Sequence, residues 1–143
     1  MDHIVYLDTK ADELSRILIG KKTMLIRGAA GRKLPYGRVN SGDFLYLIEN
    51  DGSGFVKAKA KVKSVLNSEK MDKDASILLV EKFQQQLHLS TMQFKRWAGK
   101  RYLVLIEIGN AEKLEPFRID KSDYGNMDDW LPVNDIENVK LID

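Results

Sequence analysis

An α+β fold built on a mixed or mostly antiparallel sheet is the class this sequence predicts, and three observations carry it. Strand-like apolar runs follow one another along the chain: HIVYL at 3–7, TMLIR at 23–27, FLYLI at 44–48 and YLVLIEI at 102–108. Helical spacing interrupts them in only two places, near the start and in the middle, whereas a wound α/β sheet needs a helix after nearly every strand. Between residues 55 and 66, Val56, Ala58, Ala60 and Val62 alternate with Lys57, Lys59, Lys61 and Lys63, the period of two that belongs to a half-buried strand.

The elements follow in order. After the first strand, Thr9 and Asp12 approximate a capping box, and Ala11, Leu14, Ile17 and Leu18 recur at helical spacing. Gly20 suits the position just beyond the helix, where positive φ is needed, so Gly20-Lys21-Lys22 form the turn into the strand at 23–27. Residues 28–42, with Pro35, Gly37 and Asn40-Ser41-Gly42, read as a long loop, and loops of that length in a compact domain are often functional. A hairpin joins 44–48 to 55–66 across the turn at 50–54. A polar linker at 68–74 leads to a helix at 76–86 with Ile77, Leu78, Val80 and Phe83 inward. A second helix opens at Ser90, with Gln93 as its capping partner, and closes near Gly99. The run at 102–108 is the most hydrophobic and is expected as the central strand. One more strand is expected at 114–119, a polar loop at 120–129, and a closing strand at 139–142. No internal repeat or low-complexity tract is present.

Composition narrows the function classes. The chain has 143 residues, 43% hydrophobic and 31% charged, which fits one soluble domain; two would each have a poor core. No run reaches the roughly 18 apolar residues of a membrane span, and the start lacks the regions of a signal peptide, so the expected location is the cytoplasm and no membrane partner is expected. With no cysteine, disulfides, thiolate metal sites and cysteine nucleophiles are excluded. The two histidines, His3 and His88, are far apart in sequence, which argues against a histidine metal cluster or triad; no metal and no cofactor are expected. A general base would have to be Asp, Glu, Lys or Tyr.

Charge is segregated. No acid occurs from 14 to 42, while Arg16, Lys21, Lys22, Arg27, Arg32, Lys33 and Arg38 do; residues 107–143 hold ten acids against Lys113, Arg118, Lys121 and Lys140. That tail carries −6 and leaves +8 on the rest of a chain whose net charge is +2. Such asymmetry attracts anions locally, unless the acidic tail folds back and neutralises the basic segment. The four alternating lysines are either a phosphate-tracking strip or a solvated face that protects a sheet edge.

Within GKKTMLIRGAAGRK at 20–33 the P-loop pattern fails, because Lys22 follows Gly20-Lys21 where Ser or Thr must bind magnesium, and position 15 is Ser rather than Gly. Gly28-Ala29-Ala30-Gly31 matches the GxxG of RNA-clamping KH loops in letters, but follows a strand instead of joining two helices. The acid pairs Asp128-Asp129 and Asp72/Asp74 are candidates for acid/base work by count alone and lie in polar stretches that suit solvated acids. His88, between Leu87 and Leu89, reads as a packed or capping residue.

Gly20, Lys22 and Arg27 after a short helix, Ser41-Gly42-Asp43 opening a strand, a lysine-rich strand, and a helical pair before a hydrophobic strand together resemble the ASCH domain of the PUA-like superfamily. Its G-x-K-x-x-E-x-R motif is matched at Gly20, Lys22 and Arg27, with Leu25 in place of the glutamate. The resemblance covers residues 1–110 and implies a small mixed β-barrel with a short N-terminal helix and a helical pair packed at its openings; residues 111–143 form a C-terminal extension on the same domain. It also implies a basic cleft for RNA or a modified nucleotide. One enzymatic branch resembles amidohydrolases of N4-acetylcytidine nucleosides, with Lys, Thr and Glu as catalytic groups. Lys22 matches their lysine, whereas Leu25 and Leu87 fall on the other two, and leucine is neither nucleophile nor base.

The expected ligand set is therefore Lys21, Lys22, Thr23, Arg27, Arg32 and Lys33 for phosphate, with Tyr124 and Trp130 in the extension for stacking a base. Trp130 has a structural alternative as a plug at one end of the barrel. Three functions remain: an RNA or nucleotide-binding module, an amidohydrolase-like enzyme centred on Lys22, and a protein-interaction adaptor using the opposed charges.

Overall fold

A computed structural model of the chain describes residues 1–124 and 128–141. Among these residues six strands form, β1 (Asp2–Leu7), β2 (Met24–Ala29), β3 (Phe44–Glu49), β4 (Phe55–Asn67), β5 (Tyr102–Arg118) and β6 (Trp130–Asn134). Four short helices accompany them, α1 (Glu13–Leu18), α2 (Lys73–Lys82), α3 (Gln84–Leu87) and α4 (Thr91–Trp97). The strands make one mixed sheet in the order β2-β5-β4-β3-β1-β6, curled into a half-barrel. Only β1 and β3 run parallel; the other pairs are antiparallel.

Period two along each strand explains how the sheet is covered on both faces. Leu25 of β2 joins Val5, Leu7, Leu45, Leu47, Ala60, Ile106 and Trp130 in a core fed by all six strands and by Leu14 and Ile17 of α1. Its neighbours Met24 and Ile26 face the other way, against Val80, Leu87, Leu89 and Trp97 of the helical segment. At the opposite end of the sheet, Ile4, Tyr46, Ile48, Leu131 and Val133 pack under Ile136 and Val139. No described helix is long and apolar enough to cross a membrane.

The α+β class and the mixed sheet agree with the sequence, as do the helix positions in outline. At α4, Ser90 Oγ accepts from the Gln93 N–H at 3.2 Å and the Gln93 side chain returns to the Ser90 N–H at 3.1 Å, the predicted capping box. Other details differ. Thr9 and Asp12 do not cap α1: Asp12 sits at φ 56 without a side-chain cap, and Asp8 Oδ1 holds the turn by accepting from Lys10 and Ala11. α2 begins earlier than expected because the Asp72 side chain accepts from the Ala75 N–H at 2.8 Å. It also ends sooner, and Leu78, expected inward, is 65% exposed.

Residues 114–119 are not a separate strand. Residues up to Arg118 continue β5 past a bend at Asn110 (φ 52), where irregular pairing with β4 absorbs the polar stretch that looks like a break in the sequence. In the expected 120–129 loop a 3-10 turn forms at Ser122–Tyr124, and residues 125–127 lie outside the described residues. Of the closing strand expected at 139–142, Lys140 makes an isolated bridge to Ile119, and Ile142 lies outside the described residues.

Candidate functional site

The half-barrel has two free edges, β2 and β6, and one side chain spans them. Alternation turns Arg27 of β2 to the same side as Leu25. Its Nη2 donates to the Tyr6 carbonyl on β1 at 2.8 Å and its Nη1 to the Ile26 carbonyl at 2.8 Å. The Nε lies 3.3 Å from Asp129 Oδ2, immediately before β6, but is not aligned with any acceptor, so this buried N–H has no hydrogen bond. The guanidinium sits between two indoles, 5.9 Å from the Trp97 ring centre and 5.6 Å from that of Trp130, within cation–π range. Arg27 is only 7% exposed.

Above Arg27 opens a cleft of about 310 Å³. Its exposed cations are Lys33 from the long loop, Arg96 from α4 and Lys100 just after it; Asp128 and Asp129 line it too, together with the buried Trp97 and Trp130. Past Arg27 and Trp97 the cleft continues into a recess of about 160 Å³ bordered by Asp8, Glu13, Asn50 and Gln93. Asp129 is common to both and to a third cavity, of about 470 Å³, on the Tyr6 and Lys121 side.

Lys22 lies beneath the recess rather than in it. It is 1% exposed; its Nζ is 3.3 Å from Glu13 Oε2 and donates to the Leu87 carbonyl. Burial pushes its pKa down, Glu13 pulls it back up, and Arg27 and Arg16 add to the depression. Glu13 also accepts the Asp8 N–H at 2.7 Å, so the pair is well provided with partners. Sequence reasoning missed Glu13 because a lone acid in the first turn of a helix looks like a solvated one.

The other predicted ligands divide. Arg27, Lys33 and Trp130 line the cleft. Trp130 does so with almost no free surface, at 1% exposure; its Nε1 donates to His3 Nδ1 at 3.1 Å, and His3 Nε2 is 2.8 Å from Asp43 Oδ2. Lys21 and Thr23 are exposed elsewhere, where the Thr23 N–H donates to the Gln86 carbonyl at 3.0 Å. Arg32 stacks near Tyr36 and Tyr102, 5.6 and 5.7 Å from their ring centres, outside the cleft lining. Tyr124 packs against the outer core with Ile4 and Tyr46. Leu25 and Leu87 are both fully buried in apolar clusters.

Arg96, Trp97 and Lys100 are the cleft residues that sequence reasoning overlooked. Their signal is legible in KRWAGKR at 95–101, four cations around one tryptophan, which reads as an ordinary helix end unless its composition is weighed. Asp72 is a helix cap, and His88, at φ 51, ends α3 and meets Arg16 Nη1 at 3.0 Å through Nδ1. On β4, Lys57 pairs with Glu49 at 3.2 Å and Lys59 covers Phe44 at 4.4 Å, uses suited to a solvated face. Among the described residues no three His, Asp or Glu side chains group as metal ligands would.

No protein-family model and no curated protein matches the chain. Among solved structures it is similar to ASCH from Zymomonas mobilis, which aligns over 93% of this chain and 89% of that one with a TM-score of 0.64 at 16% identity. The chain has the ASCH fold. A tyrosine-to-phenylalanine mutant of the same Zymomonas mobilis protein aligns over 82% of this chain and 75% of its own, with TM-score 0.62 and 15% identity. A serine-to-alanine mutant gives 82% and 73%, with TM-score 0.61 and 15% identity. The mixed-sheet α+β class expected from the sequence is thus the one these structures share, and at these identities the likeness speaks for the fold alone.

Proposed function

We propose that this chain is a PUA-like binding module that takes RNA or a nucleotide into the cleft above Arg27. One observation carries the reading: a buried arginine with an unbonded N–H lines a concavity whose exposed cations are Lys33, Arg96 and Lys100. Phosphate oxygens are the acceptors that such a donor set fits best, and arginine in particular matches their geometry. Because both indoles are nearly buried, stacking has little to offer, and affinity would come mainly from phosphate contacts. The amidohydrolase alternative keeps only Lys22, which lies below the recess, since Leu25 and Leu87 contribute no chemical group.

The test is binding of a short single-stranded RNA, followed by fluorescence anisotropy at about 50 and about 200 mM salt. Wild-type protein should bind at the lower salt and lose affinity steeply at the higher. An Arg96→Glu/Lys100→Glu double variant should bind at least about tenfold more weakly, with a shallower salt slope. Both residues are exposed, so the fold should survive. Absence of binding at low salt, or indifference to the double charge reversal, would refute the reading.

A further inference from the structure

The arrangement of Arg27 and Asp129 carries more than general affinity for phosphate. Asp129 is held by its backbone, whose carbonyl accepts from the Tyr6 N–H at 2.9 Å, while its side chain is 44% exposed and makes no aligned hydrogen bond to the Arg27 Nε it faces. The carboxylate thus occupies the place of an anionic ligand without satisfying the donor. It can rotate into solvent with no movement of the main chain.

We propose that the cleft selects a terminal phosphate, a phosphomonoester on the end of an RNA strand or on a free mononucleotide, by exchanging it for the Asp129 carboxylate at Arg27. This rests on the reading of the cleft as an RNA or nucleotide site and specifies which phosphate it takes. An internal phosphodiester carries one negative charge, so putting it in place of Asp129 trades one monoanion for another and leaves the carboxylate unpaired beside Asp128. A monoester near neutral pH carries about −1.5 to −2 and three acceptor oxygens. It can therefore satisfy the unbonded Nε and still reach Lys33, Arg96 or Lys100. Asp128 and Asp129 raise the threshold for every anion, and the more highly charged one crosses it by the wider margin. The dimensions agree: about 310 Å³ holds a phosphate with part of one nucleotide, and the recess beyond narrows to about 160 Å³.

The experiment compares two RNAs of one sequence, labelled at the 3′ end and differing only in a 5′-phosphate or a 5′-hydroxyl, against wild-type protein and Asp129→Asn. Wild type should bind the phosphorylated strand about tenfold or more tightly, the effect of one additional charge-assisted contact. Asp129→Asn removes both the competing carboxylate and its repulsion, which weigh most on the more highly charged ligand, so it should improve binding of the 5′-phosphate strand more than that of the 5′-hydroxyl strand and widen the ratio. Competition by a free 5′-mononucleotide identifies the source: displacement at concentrations comparable to those of the phosphorylated strand assigns the site to free nucleotides, and failure to displace assigns it to strand ends. Either result supports a terminal-phosphate site. Equal affinity for the two strands overturns the selection while leaving RNA binding by the cleft intact. An unchanged or narrowed ratio in Asp129→Asn overturns the exchange. Binding of neither strand at low salt overturns both this and the reading it rests on.

Discussion

At the scale of single residues, the wall of the cleft depends on a histidine that must stay neutral. Trp130 Nε1 is a donor only, so the His3 Nδ1 it meets at 3.1 Å must carry a lone pair, and Nε2 then carries the proton shared with Asp43. Desolvation lowers the His3 pKa below its ordinary value of 6.5, against the raising influence of the Asp43 hydrogen bond and charge; the terminal amine at Met1 lowers it further and Asp2 opposes it. The sign follows from linkage. Near and below 6.5 the unfolded chain takes up a proton that the folded chain refuses, so stability is complete above the ordinary histidine range and is lost as pH falls through it, by at most about 1.4 kcal/mol per pH unit. Urea midpoints measured from about pH 7.5 down to about pH 5 should fall in wild-type protein. In His3→Gln, which keeps an N–H for Asp43, they should fall distinctly less; identical profiles would show that His3 does not control the titration.

At the scale of elements, Gly28 shows how a motif can be right in its letters and wrong in its meaning. A Cβ at Gly28 would stand 2.6 Å from Leu103 Cδ2 and 3.1 Å from the Tyr102 carbonyl, whereas one at Gly31 meets nothing within 4 Å. The first glycine therefore lets β2 approach β5 beside the cleft, and the second has no packing duty. Gly28→Ala should cost about 1–3 kcal/mol in denaturant unfolding, because Leu103 is fully buried and has nowhere to go. Gly31→Ala should stay within about 0.5 kcal/mol of wild type. Equal effects would contradict the packing argument. Local signals of this kind were legible in the sequence where they depend on neighbours a few residues away: the alternation in β4, the Ser90 and Gln93 box, the positive φ at Gly20. The bend of β5 at Asn110 was not legible, since polar residues that pair with β4 look like a turn when read alone. Nor was the cleft. Arg27, Arg96 and Asp129 are brought together only by the closure of the sheet, and no spacing along the chain encodes that meeting.

At the scale of the whole molecule, the residues beyond 110 are part of the barrel itself. β5 runs through that point to Arg118, and β6 returns to pair with β1 in the middle of the chain's earliest strand. Trp130, Leu131, Val133, Ile136 and Val139 are each no more than 6% exposed, and they serve both the core shared by the six strands and the core at the far end of the sheet. Removing five such side chains forfeits roughly 1.5–3 kcal/mol apiece, a sum comparable with the whole stability of a typical domain, about 5–15 kcal/mol. The loss is also topological. Without β6, β1 becomes a bare edge with Ile4 uncovered, and Arg27 loses both the Trp130 ring and the Asp129 carboxylate that let a buried guanidinium span the two edges. A chain ending at residue 120 should therefore show no cooperative thermal or urea transition by circular dichroism, while the intact chain shows one. A truncated chain that unfolds cooperatively would mean that residues 1–120 make a self-sufficient half-barrel, and that the edge-to-edge contacts of Arg27 shape the cleft without being needed for folding.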